Sequence, residues 1–218
     1  MAKTAPSPQD DQLTARALEH YTALYEGMDP SVIALRTGLE YEQGAAVFRL
    51  TLMGQGYRVS WPHFSMVREE ELTEARAYER ILILRFLIEG CFTEPTGREL
   101  AYREFPRAQT YASNFQGRVI GRLLREFGRD PESLGQVMER ASQLNARRVA
   151  HADVGYCFEF LSGFPMSILI WAADDEFPPS VQVLFDENFR SAFSAEDLAV
   201  IGDISINHLI AIRNGSRR

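Results

Sequence analysis

The sequence predicts an α+β protein: a single domain with two blocks of mainly antiparallel strands and about five or six helices. Three observations carry this reading. Apolar residues recur at helical spacing in several capped segments, a period-two run around residues 46–53 leads into a glycine turn, and three short apolar runs follow one another between residues 156 and 185. No Pro/Gly/Ser-rich linker divides the 218 residues, so residues 12–218 are expected to share one core, after a disordered tail at 1–11.

The elements follow in order. Leu13, Ala17, Tyr21 and Leu24 mark an amphipathic first helix that ends near Gly27. Asp29 caps a second, Pro30 takes its first position, and Val32, Ile33 and Leu35 pack before Gly38 stops it. Ala46, Phe48, Leu50 and Leu52 alternate with Val47, Arg49, Thr51 and Met53, and Gly54-Gln55-Gly56 turns the chain into Tyr57–Trp61, a hairpin. A third helix is expected from about Leu72 to Glu89, apolar nearly all round, with Arg85 either paired with an acid or packing its stem. Arg98–Phe105 reads as extended. Phe115, Val119, Leu123 and Phe127 mark a helix closed by Gly128, and Asp130-Pro131-Glu132 opens another that runs to about Leu144. Tyr156–Phe160, Ser167–Trp171 and Val181–Phe185 are strands, and Ser194 caps a last helix through about Ile212.

Composition removes many function classes. Net charge is −7, from 23 Lys+Arg against 30 Asp+Glu, so the chain as a whole repels phosphate backbones and nucleic acid is not an expected partner. The longest apolar stretch, Ile81–Ile88, is broken by Arg85 and falls far short of the roughly 20 residues a membrane span needs. The first residues have no apolar signal region, and two cysteines, Cys91 and Cys157, are too few for a tetrathiolate site; a reducing, cytoplasmic setting suits both facts. Lys3 is the only lysine and the other 22 basic residues are arginine. P-loop enzymes, protein kinases, pyridoxal enzymes and Schiff-base aldolases therefore lack their central residue. No GxGxxG, GxSxG, HExxH or EF-hand loop occurs either.

Several blocks resemble an uncharacterised family, domain of unknown function 3786. They are Trp171-Ala-Ala-Asp-Asp-Glu-Phe-Pro-Pro-Ser180, Val183-Leu-Phe-Asp186 and Glu196-Asp-Leu-Ala199. Earlier blocks agree in the same order: Gly54-Gln-Gly-Tyr-Arg-Val-Ser60, Ile81-Leu-Ile-Leu84, Arg103-Glu-Phe-Pro106 and Phe115-Gln-Gly-Arg118. The resemblance covers nearly everything beyond residue 28. It implies a protein of anaerobic bacteria and archaea and an association with anaerobic cofactor metabolism, and it brings no activity with it.

Four sets of residues are candidates for a site, each with a plainer structural use. Asp174, Asp175 and Glu176 follow Trp171 where a strand meets a loop stiffened by Phe177-Pro178-Pro179. Hard divalent cations take such oxygens, and Asp186 is a further ligand if the strands pair that way; a turn in which an acid accepts backbone N–H groups is the plainer use. Arg118, Arg122, Arg125 and Arg129 step by four, three and four along one helix face, with Arg103 and Arg107 upstream, a fork for phosphate or a tetrapyrrole's carboxylates, or simply a solvated face. His151 with Asp153, and Cys157 or Ser162 nearby, are the material of a nucleophile and base, while His208 belongs to an apolar stripe. Tyr102, Tyr111, Phe115, Trp61 and Trp171 can line a pocket for a flat ligand or fill the core.

Two functions remain. The first is a non-catalytic cytoplasmic binding or accessory protein for an anionic small molecule (tetrapyrrole- or phosphate-like) or for a cofactor-dependent protein partner in anaerobic metabolism. Its site would draw on Arg103, Arg118, Arg122, Tyr111, Trp171, Asp174, Asp175 and Glu176, with no metal and no named cofactor. The second is a small metal-assisted hydrolase built on Asp174, Asp175 and Glu176. What separates them is whether these acids and Arg118 face one concave pocket.

Overall fold

A computed structural model describes residues 8–215, with side chains from residue 12 on; the expected tail at 1–11 falls largely outside these described residues. The α+β class holds, with a mostly antiparallel sheet among the described residues. The chain divides into two compact units, one of residues 1–50 with 56–92 and one of residues 51–55 with 93–218.

In the first unit α1 (Pro8–Glu26) and α2 (Pro30–Thr37) precede strands β1 (Glu40–Glu42), β2 (Val47–Leu52), β3 (Gln55–Ser60) and β4 (Met66–Arg68), and α3 (Ala77–Glu89) closes it. Asp29 caps α2 as expected, its Oδ1 accepting from the Ser31 N–H at 2.8 Å, and Gly38 takes the left-handed φ of 68° that ends it. Only Ile33 of the expected apolar trio is buried; Val32 and Leu35 are exposed. On α1 the anchor is Tyr25 rather than Leu13 or Leu24. Tyr25 is fully buried, edge-on to Phe64, and its hydroxyl donates to the Ser60 carbonyl at 3.2 Å.

The third helix starts at Ala77, not Leu72. Residues 66–75 are spent on β4 and its turn, where Ala75 N–H donates to Met66 O and Leu72 sits exposed at φ 53°. Arg85 lays its guanidinium 5.8 Å from the Tyr21 ring centre. Arg36 reaches the last carbonyls of α3, donating to Leu87 O at 2.5 Å and Ile88 O at 2.6 Å, which satisfies acceptors that the helix cannot.

In the second unit β5 (Glu99–Ala101) leads through a 3-10 turn (Tyr102–Glu104) to α4 (Ala108–Phe115). A π-helical turn (Gln116–Ile120) joins α4 to α5 (Gly121–Phe127), and α6 (Glu132–Arg140) follows. Of the stretch Arg98–Phe105, expected to be extended, three residues form a strand, because the chain turns away at Tyr102. Strands β6 (Arg147–Arg148), β7 (Val154–Leu161), β8 (Phe164–Trp171) and β9 (Ser180–Asp186) come next, then α7 (Phe189–Ala192) and α8 (Ala195–Arg213). The strands lie in the order β6, β7, β8, β9, β5, and Leu52, in the 51–55 segment that belongs to this unit, pairs with Leu161 on β7. Ser194 caps α8 in a reciprocal box with Asp197.

The apolar face of this sheet carries Met166, whose sulfur accepts from the buried Ser205 hydroxyl of α8 at 3.5 Å. Gly202 of α8 faces Val119 of the π turn, where a Cβ would come within 2.6 Å of the valine. Only a hydrogen lets these two helical segments lie so close.

Candidate groove beside strand β9

The segment from α4 to α5 does not keep a strict α-helical period. The π turn inserts one residue, so Phe115 and Ile120, five apart, share a side and Leu124 follows at four. These three side chains and Gln116 form one wall of a groove of about 480 Å³, and Pro179, Ser180, Val181, Gln182 and Val183 form the other. That volume lies within the range of small-ligand sites, roughly 300–1,000 Å³.

The floor near β5 is Ala101 and Tyr102. The Tyr102 ring stacks on Phe115, with centres 3.9 Å apart and planes 11° from parallel, and its hydroxyl donates to Ala195 O at 3.1 Å. Burial, and then the neighbouring Tyr111, push the Tyr102 pKa above the usual tyrosine value. Arg103 follows on the 3-10 turn, exposed, and it is the one charged residue among those that line the groove. No acid lines it, and among the described residues Arg103 has neither an ion pair nor a side-chain hydrogen bond.

The other expected site residues are elsewhere. Arg122 donates to Asp203 Oδ1 at 2.6 Å and to Asn207 Oδ1 at 2.8 Å, and Arg118 reaches Asp203 Oδ2 at 3.4 Å. The arginine stripe is therefore neutralised in part by α8, through partners 81 and 85 residues away for Arg122 that local spacing does not reveal. Tyr111 and Trp171 are half-buried and do not line the groove.

Asp174, Asp175 and Glu176 lie exposed in the β8–β9 loop. Asp174 Oδ1 accepts from the N–H groups of Glu176 at 2.9 Å and Phe177 at 2.7 Å, so its carboxylate shapes the turn. Asp186 is not their neighbour. Trp171 pairs with Ser180 while Met166 pairs with Phe185, which sends Asp186 to the far end of β9. There it is buried, accepting from Thr96 N–H and Oγ1, Gly97 N–H and Asn188 N–H at 2.7 to 3.2 Å. Among the described residues no group of three His, Cys, Asp or Glu side chains is placed to hold a metal ion.

The residues around His151 form a second, smaller cleft of about 230 Å³ with Glu99, Arg147, Cys157 and Pro165 in its walls. Arg147 donates to Cys157 Sγ at 3.7 Å, a contact that holds the guanidinium more firmly in its charged form. Asp153 turns to the backbone, accepting from Ala172 N–H at 2.8 Å, and Ser162 is exposed and not part of this cleft. His208 is buried in α8 as the apolar stripe implies.

Sequence reasoning missed Gln116, Ile120, Leu124 and the Ser180–Gln182 edge. The run Val181–Phe185 marks a strand, but nothing local says that one of its edges is open.

Among the described residues no helix is long and apolar enough to cross a membrane. No curated protein and no solved structure matches the chain. A family model described as Domain of unknown function (DUF3786) matches residues 29–208, which includes both walls of the groove and most of both units, and the chain belongs to that family.

Proposed function

We propose that this is a non-catalytic cytoplasmic binding or accessory protein, and that the groove beside β9 is where it takes an anionic ligand. The observation that carries this reading is Arg103: a guanidinium with no partner among the described residues, at a groove whose other walls are apolar, aromatic or neutral. A guanidinium offers a planar pair of donors to a carboxylate or phosphate, and apolar walls remove the competing water. The stacked Tyr102–Phe115 pair and Ile120 favour a ligand with a flat or apolar body next to its charge.

The metal-assisted hydrolase has less to support it. Asp174 spends its carboxylate on backbone amides, and the nearest expected fourth oxygen, from Asp186, is at the other end of its strand and already accepts four hydrogen bonds.

Amide NMR of the full chain tests the groove with three anionic probes: protoporphyrin IX, pyrophosphate and N-acetylglutamate at millimolar concentration. At least one is expected to move the resonances of Arg103, Gln116 and Gln182, with affinity about tenfold weaker in Arg103→Ala. If none moves them, or Arg103→Ala binds as well as wild type, the reading fails.

A further inference from the structure

The groove has an unusual second wall, a β-strand with one side unpaired. Strand β5 pairs with β9 only where Glu99, Leu100 and Ala101 face Asp186, Phe185 and Leu184, and it then leaves the sheet at the Tyr102 turn. On the opposite side β8 stays paired with β9 as far as Ser180. From Val183 to Ser180, β9 therefore has a neighbouring strand on one side only, and it is this stretch that lines the groove.

The direction of the main-chain groups follows from alternation. Glu187 N–H donates to Arg98 O at 2.8 Å, on the β5 side. Stepping back two residues at a time puts the N–H groups of Phe185, Val183 and Val181 on that same side, with the C=O of Val181 beside its own N–H. Leu100 meets Phe185 there, and beyond Ala101 no strand among the described residues pairs with Val183 or Val181, because the chain turns away at Tyr102, whose carbonyl accepts from Phe105 N–H at 3.1 Å. Among the devices that blunt an open edge are a charge, a bulge or a proline within it. The stretch Ser180-Val181-Gln182-Val183 contains none, and Pro178-Pro179 stand just outside it as an end stop.

We propose that the groove binds an extended, acid-bearing segment of a partner polypeptide, which adds to β9 as a strand. This deepens the reading of the groove as an anion site and rests on it. The added segment takes the place that β5 vacates, hydrogen-bonding to Val181 and to the Val183 N–H. Alternate side chains enter the space walled by Phe115, Ile120 and Leu124, and a carboxylate meets Arg103. Charge complementarity selects the acidic segment, since the lining holds one arginine and no acid. Main-chain pairing supplies affinity whatever the sequence, while the apolar wall and Arg103 supply the preference.

The test uses the full chain and acetylated peptides of about eight residues that alternate valine and threonine around one glutamate, beside the same peptides with glutamine in its place. The glutamate peptides are expected to slow amide exchange at Val181 and Val183 and to bind at least about tenfold more tightly than N-acetylglutamate, with the glutamine series weaker. Val181→Pro removes the outward N–H without touching the β8 side and should weaken the peptides about tenfold, whereas Val181→Thr, which keeps it, should match wild type. Should Val181→Pro not fold, exchange protection at Val181 and Val183 in the wild type decides the matter. Peptides that bind no better than N-acetylglutamate, or that leave the exchange of those two amides unchanged, overturn the strand-addition proposal. In that case N-acetylglutamate, pyrophosphate or porphyrin binding that still depends on Arg103 leaves the anion groove standing, and loss of all of it removes both.

Discussion

Arg103 and Arg122 both belong to the second unit, and spacing alone favours Arg122, a member of the stripe, as an anion receptor. Their surroundings reverse that order. Arg122 is largely buried, with its guanidinium divided between Asp203 and Asn207, so its charge and its donors are already spent on holding α5 to α8. Arg103 is exposed on a turn, with an apolar groove on one side and no carboxylate in its lining. A buried guanidinium stripped of its partner costs stability, whereas an exposed one without a partner costs little and stays available. The acids divide the same way: Asp186 and Asp174 are consumed by backbone N–H groups, while Asp175 and Glu176 carry no comparable duty.

If that division is right, substitutions should separate by partner rather than by residue type. The largest effect is expected from Asp186→Ala, which removes a buried carboxylate that ties Thr96 and Gly97 to β9 and leaves the N–H of buried Asn188 unpaired, and should cost about 3 kcal/mol in urea unfolding. Asp203→Ala comes second. It leaves Arg122 half-partnered and should cost about 1–2 kcal/mol, with recovery when Arg122 is replaced by Met in the same chain. Asp174→Ala, which loses an exposed turn, should cost about 1 kcal/mol, against changes within about 0.5 kcal/mol for Asp175→Ala and Glu176→Ala. Equal losses at all three acids would break the comparison.

The smallest expected effect is a dependence on alkaline pH. Tyr102 holds its proton more tightly folded than unfolded, so its contribution is complete below the ordinary tyrosine value of about 10 and declines as pH rises beyond it. Tyr102→Phe should flatten that part of the decline in a melting series at increasing pH, while a Phe variant with an unchanged slope would place the titration elsewhere.

Much of the fold was legible in the sequence because its signals are local. Asp29-Pro30 and Ser194 with Asp197 are caps within one turn, and the alternation around Phe48 and the apolar runs at β7, β8 and β9 each declare a strand. The start of α3 was missed because β4 and its turn take residues that look helical, and Leu13, Val32 and Leu35 show that an apolar residue at helical spacing is not by that fact buried. The site was less legible. Arg103, one of the candidates, lines the groove, while the acids, Trp171 and the arginine stripe lie away from it. What decides their use is a partner 81 residues on for Arg122, the buried amides that surround Asp186, and a π turn that shifts the helix face by one residue. None of these leaves a local trace.

The most direct test of the central claim compares Arg103→Ala with Arg122→Ala, each measured for thermal stability and for calorimetric affinity toward whichever anionic probe binds the wild type. Arg103→Ala is expected to keep the wild-type melting temperature within about two degrees and to weaken the probe about tenfold, and Arg122→Ala to lower the melting temperature by several degrees and leave affinity unchanged where it folds. An Arg103→Ala variant that binds as wild type does, beside an Arg122→Ala variant that folds and has lost the probe, would contradict the claim.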